Sequence, residues 1–303
     1  MLVRAAGNIA RAVSNVHSTG CVIGDINHSS VLVSDNATVV LIDSDSFQFV
    51  FNGVTYPCKV GVPEFTPPEL QGKDLSKVIR TANHDNFGLA VLIFYTLMMG
   101  RHPFAGRYLG QGDMPMDRAI AEFRFAYSAR RGATLTEPPP NVPTLADLPV
   151  GICDAFERAF GPNGPTGARP SASGWIAMLD RAESELTQCS ASPAHHYFRT
   201  AKLCPWCRME RAYPGFLAFV PVFPVHAGGK PLDLAQLISA VRATKDPGPA
   251  PDLATLMPAI VGQTTKTDWA EVKSKRFRRW LAGIIGVGLR CRARDRPWRG
   301  TYR

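Results

Sequence analysis

Apolar residues recur at helical spacing from the start of the chain. Leu2, Ala6, Ile9, Val13 and Val16 share one face, so residues 2–18 are predicted as a helix with one buried side. Thr19–Gly20 ends it. Two short apolar runs follow, Ser30–Ser34 and Thr38–Asp43, with the turn signal Asp35–Asn36 between them, which predicts a tight hairpin. Leu89–Met99 is apolar all round and marks a helix buried on every side, its methionines used for packing. Asp117–Arg131 carries a stripe of Ile120, Phe123 and Tyr127 and is expected to be helical. Glu137–Pro149 is proline-rich and reads as an extended connection. Ile152–Phe160 and Ser171–Leu186 return to helical spacing, with Ser171 as N-cap after Pro170. Gly215–Val225 is apolar but broken by Pro221 and Pro224, which suits a short extended segment. Leu234–Ala243 and Trp269–Trp280 have helical stripes, with a Pro-rich linker at Thr244–Pro251. The expected class is α+β, mainly α.

Charge changes this picture only at the C-terminal end. The chain of 303 residues carries a net charge of +9. Residues 273–303 alone hold eleven Lys or Arg against one acid, Asp295, so the rest is near neutral. The plain reading of RCRARDRPWRGTYR is a solvated, disordered tail. A membrane-surface helix around Lys273–Leu289 is the sharper expectation, and the basic stretch 273–303 is where a polyanion, nucleic acid or an anionic membrane could be met. The longest apolar runs, Leu89–Met99 and Trp280–Leu289, are too short to span a bilayer, and no secretory signal opens the chain. A cytoplasmic protein is expected.

Two groups of residues carry candidate chemistry. A hairpin over 30–43 brings Asp25 and Asp43 to the same end of a small sheet. One carboxylate can then serve a hydroxyl proton and the other a magnesium ion, as phosphoryl transfer requires. The plain alternative is that both aspartates only cap turns. Of seven cysteines, Cys189, Cys204 and Cys207 cluster with histidines in CSASPAHHYFRTAKLCPWC. A C-x-x-C pair with a further Cys and one His suits tetrahedral zinc, and four protein ligands leave no open position, so the site is structural. Spacing leaves His195 and His196 both open. A redox C-x-x-C is disfavoured, because the βαβ context of that motif is missing.

Four motifs in order resemble the protein kinase family. Asp25, Ser30 and Asp43 fall where that family has its catalytic Asp, its metal-binding Asn and its second metal-binding Asp. GVPEFTPPEL (Gly61–Leu70) is similar to the end of an activation segment. HDNFGLAVLIFYTLMMGRHPF is similar to the buried helix after it, with Asp85 as its leading aspartate. GARPS supplies the late arginine, Arg169, which the resemblance pairs with Glu69. Departures are plain: Ile23 and Gly24 replace His and Arg, Asn27 replaces the γ-phosphate lysine, and Ser30 replaces Asn. Losing the arginine before Asp25 removes the usual partner of an activation-loop phosphate. GDIN with DSDSFQ looks like a bacterial group of divergent kinases that carry a helix-hairpin-helix or zinc segment. On that match His195 is the ligand.

The resemblance implies a kinase-like C-lobe over 1–186, a zinc knuckle over 187–212, and a linker and basic tail over 213–303. It implies a serine/threonine kinase using ATP and magnesium. Asp25 accepts the substrate proton, Asp43 holds the metal, and Ser30 stands at the second metal position. The Gly-rich loop and nucleotide-binding lysine of the N-lobe do not precede residue 1. Either they are encoded upstream, or the chain does not bind ATP in the usual way. The competing expectation is a non-catalytic scaffold that presents the lobe and the zinc knuckle to a protein partner. Phosphorylation of a small molecule ranks third, because GVPEFTPPEL points to the protein-kinase branch.

Overall fold

The computed structural model describes residues 1–219. The part of the segment expected at 215–225 from residue 220 on, the segments expected at 234–243, 244–251 and 269–280, the basic stretch 273–303 and Cys291 lie outside the described residues.

The first helix, α1 (Leu2–Ser18), buries Val3, Ala6, Ile9, Ala10 and Val13, the face set by its apolar spacing. It packs along α6 (Ala172–Ser184) and α2 (Ala82–Leu97). Arg4–Glu183 and Arg11–Asp180 tie α1 to α6 at the surface. Such exposed pairs add little beyond register.

Helix α2 is the centre of the fold. Thr81 and His84 form a reciprocal capping box at its start, and nearly every residue from Asp85 to Leu97 is buried. Phe87 and Phe94 meet Phe104, Phe125, Phe156 and Phe160 in one aromatic cluster; Phe94 and Phe156 stand edge to face at 5.0 Å. Each fully buried ring contributes about 1.5–3 kcal/mol of transfer free energy. Helix α3 (Met116–Ala121), the short α4 (Arg131–Thr134) and α5 (Val150–Phe160) surround this cluster. Ser171 caps α6, its hydroxyl accepting from Gly174 N–H at 3.1 Å.

Among the described residues the strands form four separate antiparallel pairs: β1 (Val31–Val33) with β2 (Val39–Leu41), β3 (Phe49–Phe51) with β4 (Val54–Tyr56), β5 (Arg107–Tyr108) with β6 (Thr136–Glu137), and β7 (Leu186–Cys189) with β8 (Ser192–Phe198). The first is the expected hairpin, with Val31 opposite Leu41. Its left-handed residue is Ala37 (φ 66), not Asn36. Asn8 on α1 donates to the Ala37 carbonyl at 2.8 Å and holds it there. The β3–β4 hairpin turns through Asn52–Gly53, both with positive φ, and leaves Phe49, Val50, Phe51, Val54 and Tyr56 exposed. The last element among the described residues is α7 (Pro205–Ala212). Among the described residues, no helix is long and apolar enough to cross a membrane.

Two expected helices differ in extent. The helix expected over 117–131 stops at Ala121. Phe123 turns left-handed (φ 55), Phe123 N–H reaches Ile120 O at 3.0 Å and Arg124 N–H reaches Ala119 O at 2.8 Å. This is a Schellman closure with phenylalanine where glycine is usual. The helix expected to reach Leu186 ends at Ser184, because Leu186 pairs with Phe198 in the last hairpin.

His102 sits beyond α2 and is 6% exposed. Its Nδ1 accepts from Phe104 N–H, which leaves Nε2–H to donate to Glu64 O at 2.9 Å. Burial, against the weaker pull of Glu64, lowers its pKa from 6.5 to about 4. The unfolded chain takes up a proton below pH 6.5 that the folded one refuses, so stability falls with pH across this window. At 1.36 kcal/mol per pH unit the loss is about 3 kcal/mol by pH 4. Urea midpoints against pH should be flatter for His102→Gln than for the parent; parallel profiles would refute the assignment.

Candidate functional site

The loop that carries Asp25 is organised by a carboxylate from α2. Asp85 is 2% exposed. It accepts from Ile23 N–H at 2.7 Å and Gly24 N–H at 2.8 Å, and meets His17 Nε2 at 2.9 Å. Two backbone donors and one imidazole therefore satisfy a buried acid, as burial demands. Asp25 follows directly and is half-buried. Asn27, 3% exposed, donates to Asp25 Oδ1 at 2.9 Å and to its carbonyl at 3.1 Å.

Ser30 joins this loop to the β1–β2 hairpin. Its carbonyl accepts from Ile42 N–H at 3.0 Å. Its hydroxyl donates to Asn27 O at 2.9 Å and accepts from Asn27 N–H at 3.2 Å, so it faces into the loop. Asp43 follows Ile42 at the open end of the hairpin, and Ser30 Oγ lies 3.4 Å from the Asp25 carbonyl. Asp43 is exposed and left-handed (φ 63, ψ 35), and its carboxylate does not cap the turn Ser44–Ser46 that follows. A non-glycine residue held there is a strained position of the sort that gathers at functional sites.

Below this loop lies the segment Gly61–Leu70, built of two tight turns, Pro63–Phe65 and Pro68–Leu70. Arg169 closes it. Its side chain is fully buried and grips Glu69 with both ends of the fork, Nη1 to Oε1 at 2.6 Å and Nη2 to Oε2 at 2.8 Å. The guanidinium also donates to Asn83 O and lies over the Phe87 ring.

The second cluster is built by β7, β8 and α7. Cys189, His195, Cys204 and Cys207 bring their ligand atoms within 4.8 Å of one another. Cys189 and Cys207 sulfurs are 3.6 Å apart, and His195 Nδ1 stands 3.4 Å from Cys207 and 3.8 Å from Cys204. A zinc tetrahedron with ordinary bond lengths has edges of about 3.6–3.8 Å between such atoms. Three thiols and an imidazole at this spacing can hold a metal ion such as zinc. Burial, and then the neighbouring thiols, push Cys207 up to about 12; a divalent cation reverses that balance. Strand alternation decides between the histidines: His195 is 1% exposed among the thiols, whereas the next residue, His196, is exposed.

Glu210, which sequence reading missed, supports the candidate cluster from beside His195. Its Oε1 accepts from His195 Nε2 at 3.1 Å and from Ala218 N–H at 3.0 Å. The imidazole is thereby oriented with Nδ1 toward the thiols, the usual carboxylate–histidine support of a metal ligand. Its position on α7, three residues after Cys207, was the available signal. Arg208 on the same helix docks the unit onto Asp147, at 2.6 and 3.1 Å.

No protein-family model matches the chain. Among curated proteins, "Protein kinase YegI" of Escherichia coli O157:H7 is 43% identical over 213 residues, and its counterpart in Escherichia coli strain K12 is 41% identical over 213 residues. Each match covers 69% of this chain and 33% of the relative, so the chain spans about a third of the length of the curated relatives it matches. At that identity, the chain belongs to a divergent bacterial protein kinase-like family.

Proposed function

We propose that the chain is the C-terminal lobe of a serine/threonine protein kinase, followed by a structural zinc unit over 187–212 and a linker and basic tail over 213–303. The observation that supports the reading is the Asp85 carboxylate, which accepts from the backbone of Ile23 and Gly24 and so fixes the loop that carries Asp25. Asp25 accepts the proton of a protein hydroxyl lying over Gly61–Glu69. Asn27 orients that carboxylate through Asp25 Oδ1. Asp43, exposed and uncommitted to a cap, is the residue that holds magnesium. Magnesium-ATP supplies the phosphoryl group and the charge neutralisation of its transfer. The basic stretch 273–303 is the place for an anionic surface or nucleic acid.

A second reading, a scaffold that does no chemistry, is favoured by Ser30. Its hydroxyl is committed to Asn27 and is 7% exposed, although the family role for that position is a metal ligand. Thermal shift with magnesium-ATP separates the two. Saturation at 100 times Kd adds about 2.7 kcal/mol. A shift that vanishes in Asp43→Ala supports the kinase reading; no shift at millimolar nucleotide supports the scaffold.

A further inference from the structure

Arg80 is a buried cation that forms no ion pair among the described residues. It is 3% exposed. Among the described residues its Nε has no hydrogen-bond partner. Burying a guanidinium without a counter-charge is costly unless strong acceptors surround it. The acceptors here are backbone carbonyls from two different segments. Nη1 donates to Gly24 O at 2.8 Å, next to Asp25, and Nη2 donates to Val60 O at 2.9 Å, just before Gly61. The Arg80 backbone adds a third tie. Its N–H donates to Gln48 Oε1 at 2.7 Å and its carbonyl accepts from Gln48 Nε2 at 2.8 Å. Gln48 in turn exchanges both backbone hydrogen bonds with Val22.

One residue thus joins the loop before Asp25, the strand after Asp43 and the segment leading into Gly61–Leu70. Gly24 shows why the tie comes from a distance. It has φ +75, and a Cβ there would stand 2.5 Å from Cys58 Cβ and 2.7 Å from Cys58 Sγ. Cys58 is fully buried against it. No side chain fits at the position where the family has its arginine, and the guanidinium arrives instead from Arg80.

We propose that Arg80 is a positioning residue that locks the Asp25 loop to residues 58–62 in one arrangement, so that their alignment is built into the fold and needs no phosphate on the segment. The purpose of the lock rests on the kinase reading above; the lock itself does not.

Cys58 is the reporter, since it is sealed between the two segments that Arg80 joins. Labelling of the full chain by a maleimide, mapped by mass spectrometry, reads its opening, with Cys153 on α5 as the internal control. Arg80→Lys keeps the charge but loses the planar fork that reaches two carbonyls at once. Cys58 should label at least ~10-fold faster in Arg80→Lys, a local opening worth about 1.4 kcal/mol or more, while Cys153 keeps its rate. Phosphatase treatment of the parent should leave Cys58 closed. Equal acceleration at Cys58 and Cys153, or a Cys58 that stays closed in both Arg80→Lys and Arg80→Met, overturns the proposal. So does a phosphatase-treated parent in which Cys58 opens. Absence of a magnesium-ATP shift in the parent sinks the kinase reading alone, because the labelling result does not depend on nucleotide.

Discussion

Chelation should remove one zinc ion per chain and free β7, β8 and α7 from the rest of the described fold. The unit holds a four-residue strand, a seven-residue strand and an eight-residue helix. Its own apolar core is small: Cys204, Trp206, Met209 and Ala218 are buried, with Met99 contributed by the turn after α2. So little buried surface does not outweigh the entropy of ordering the segment. Metal binding does, at about 10–16 kcal/mol in zinc-finger peptides. Limited proteolysis should therefore cut near residues 199–204 after chelation and not before. Cys207→Ser should behave like chelated protein. Glu210→Gln keeps the shape but weakens the acceptor for His195, so its metal affinity should fall about 10- to 100-fold in competition with a chromophoric chelator. Purified protein without stoichiometric zinc would end the assignment.

Breaking the Arg169–Glu69 pair should cost about 3–5 kcal/mol, because either single change strands a charge that the other was buried to meet. Glu69→Ala leaves the guanidinium of Arg169 fully buried, with only Asn83 O and the Phe87 face as partners. Arg169→Met leaves Glu69, of which 22% is exposed, and should be the milder change. The double variant should recover part of the sum in a urea-denaturation cycle. Acid gives the same signal by another route. Burial raises the pKa of Glu69, but hydrogen bonds and charge from Arg169 outweigh it and hold the carboxyl below the usual glutamate range. That stabilisation is fully present above the unfolded value of roughly 4.3 and is lost as pH falls through the lower folded value. His84 acts in the same direction, since burial outweighs its attraction to Glu69 and lowers its pKa. Single variants that each lose less than about 1 kcal/mol would mark the pair as an ordinary surface contact.

The parts of this fold that were legible in the sequence are those with a strong period or a strong punctuator. Helix α1 follows from its apolar stripe, α2 from its unbroken apolar run, and the N-cap of α6 from Ser171. What escaped were backbone reversals at residues with no signal for them. Phe123 ends α3 in a left-handed turn because the core takes Ile120 and Phe125 from opposite sides of that turn, both 2% exposed or less. Ala37 turns β1 into β2 because Asn8, far away in the sequence, holds its carbonyl. Asn52–Gly53 is the opposite case: the turn signal was present, and its flanking residues were too evenly apolar to suggest a half-buried pair. At the candidate metal cluster, Cys189, Cys204 and Cys207 could be read from spacing, and the resemblance already chose His195 over His196; spacing alone left both open, and the strand that sets their alternate faces puts His195 among the thiols. Arg80 could not be read at all, since nothing local distinguishes a buried arginine that serves two distant carbonyls from a solvated one.

The closure of position 24 limits what can be built there. Any Cβ at Gly24 meets Cys58, and its φ of +75 disfavours every L side chain. Placing an arginine before the aspartate therefore needs glycine at 58, since alanine would keep the Cβ that stands 2.5 Å away, together with a new backbone at 24.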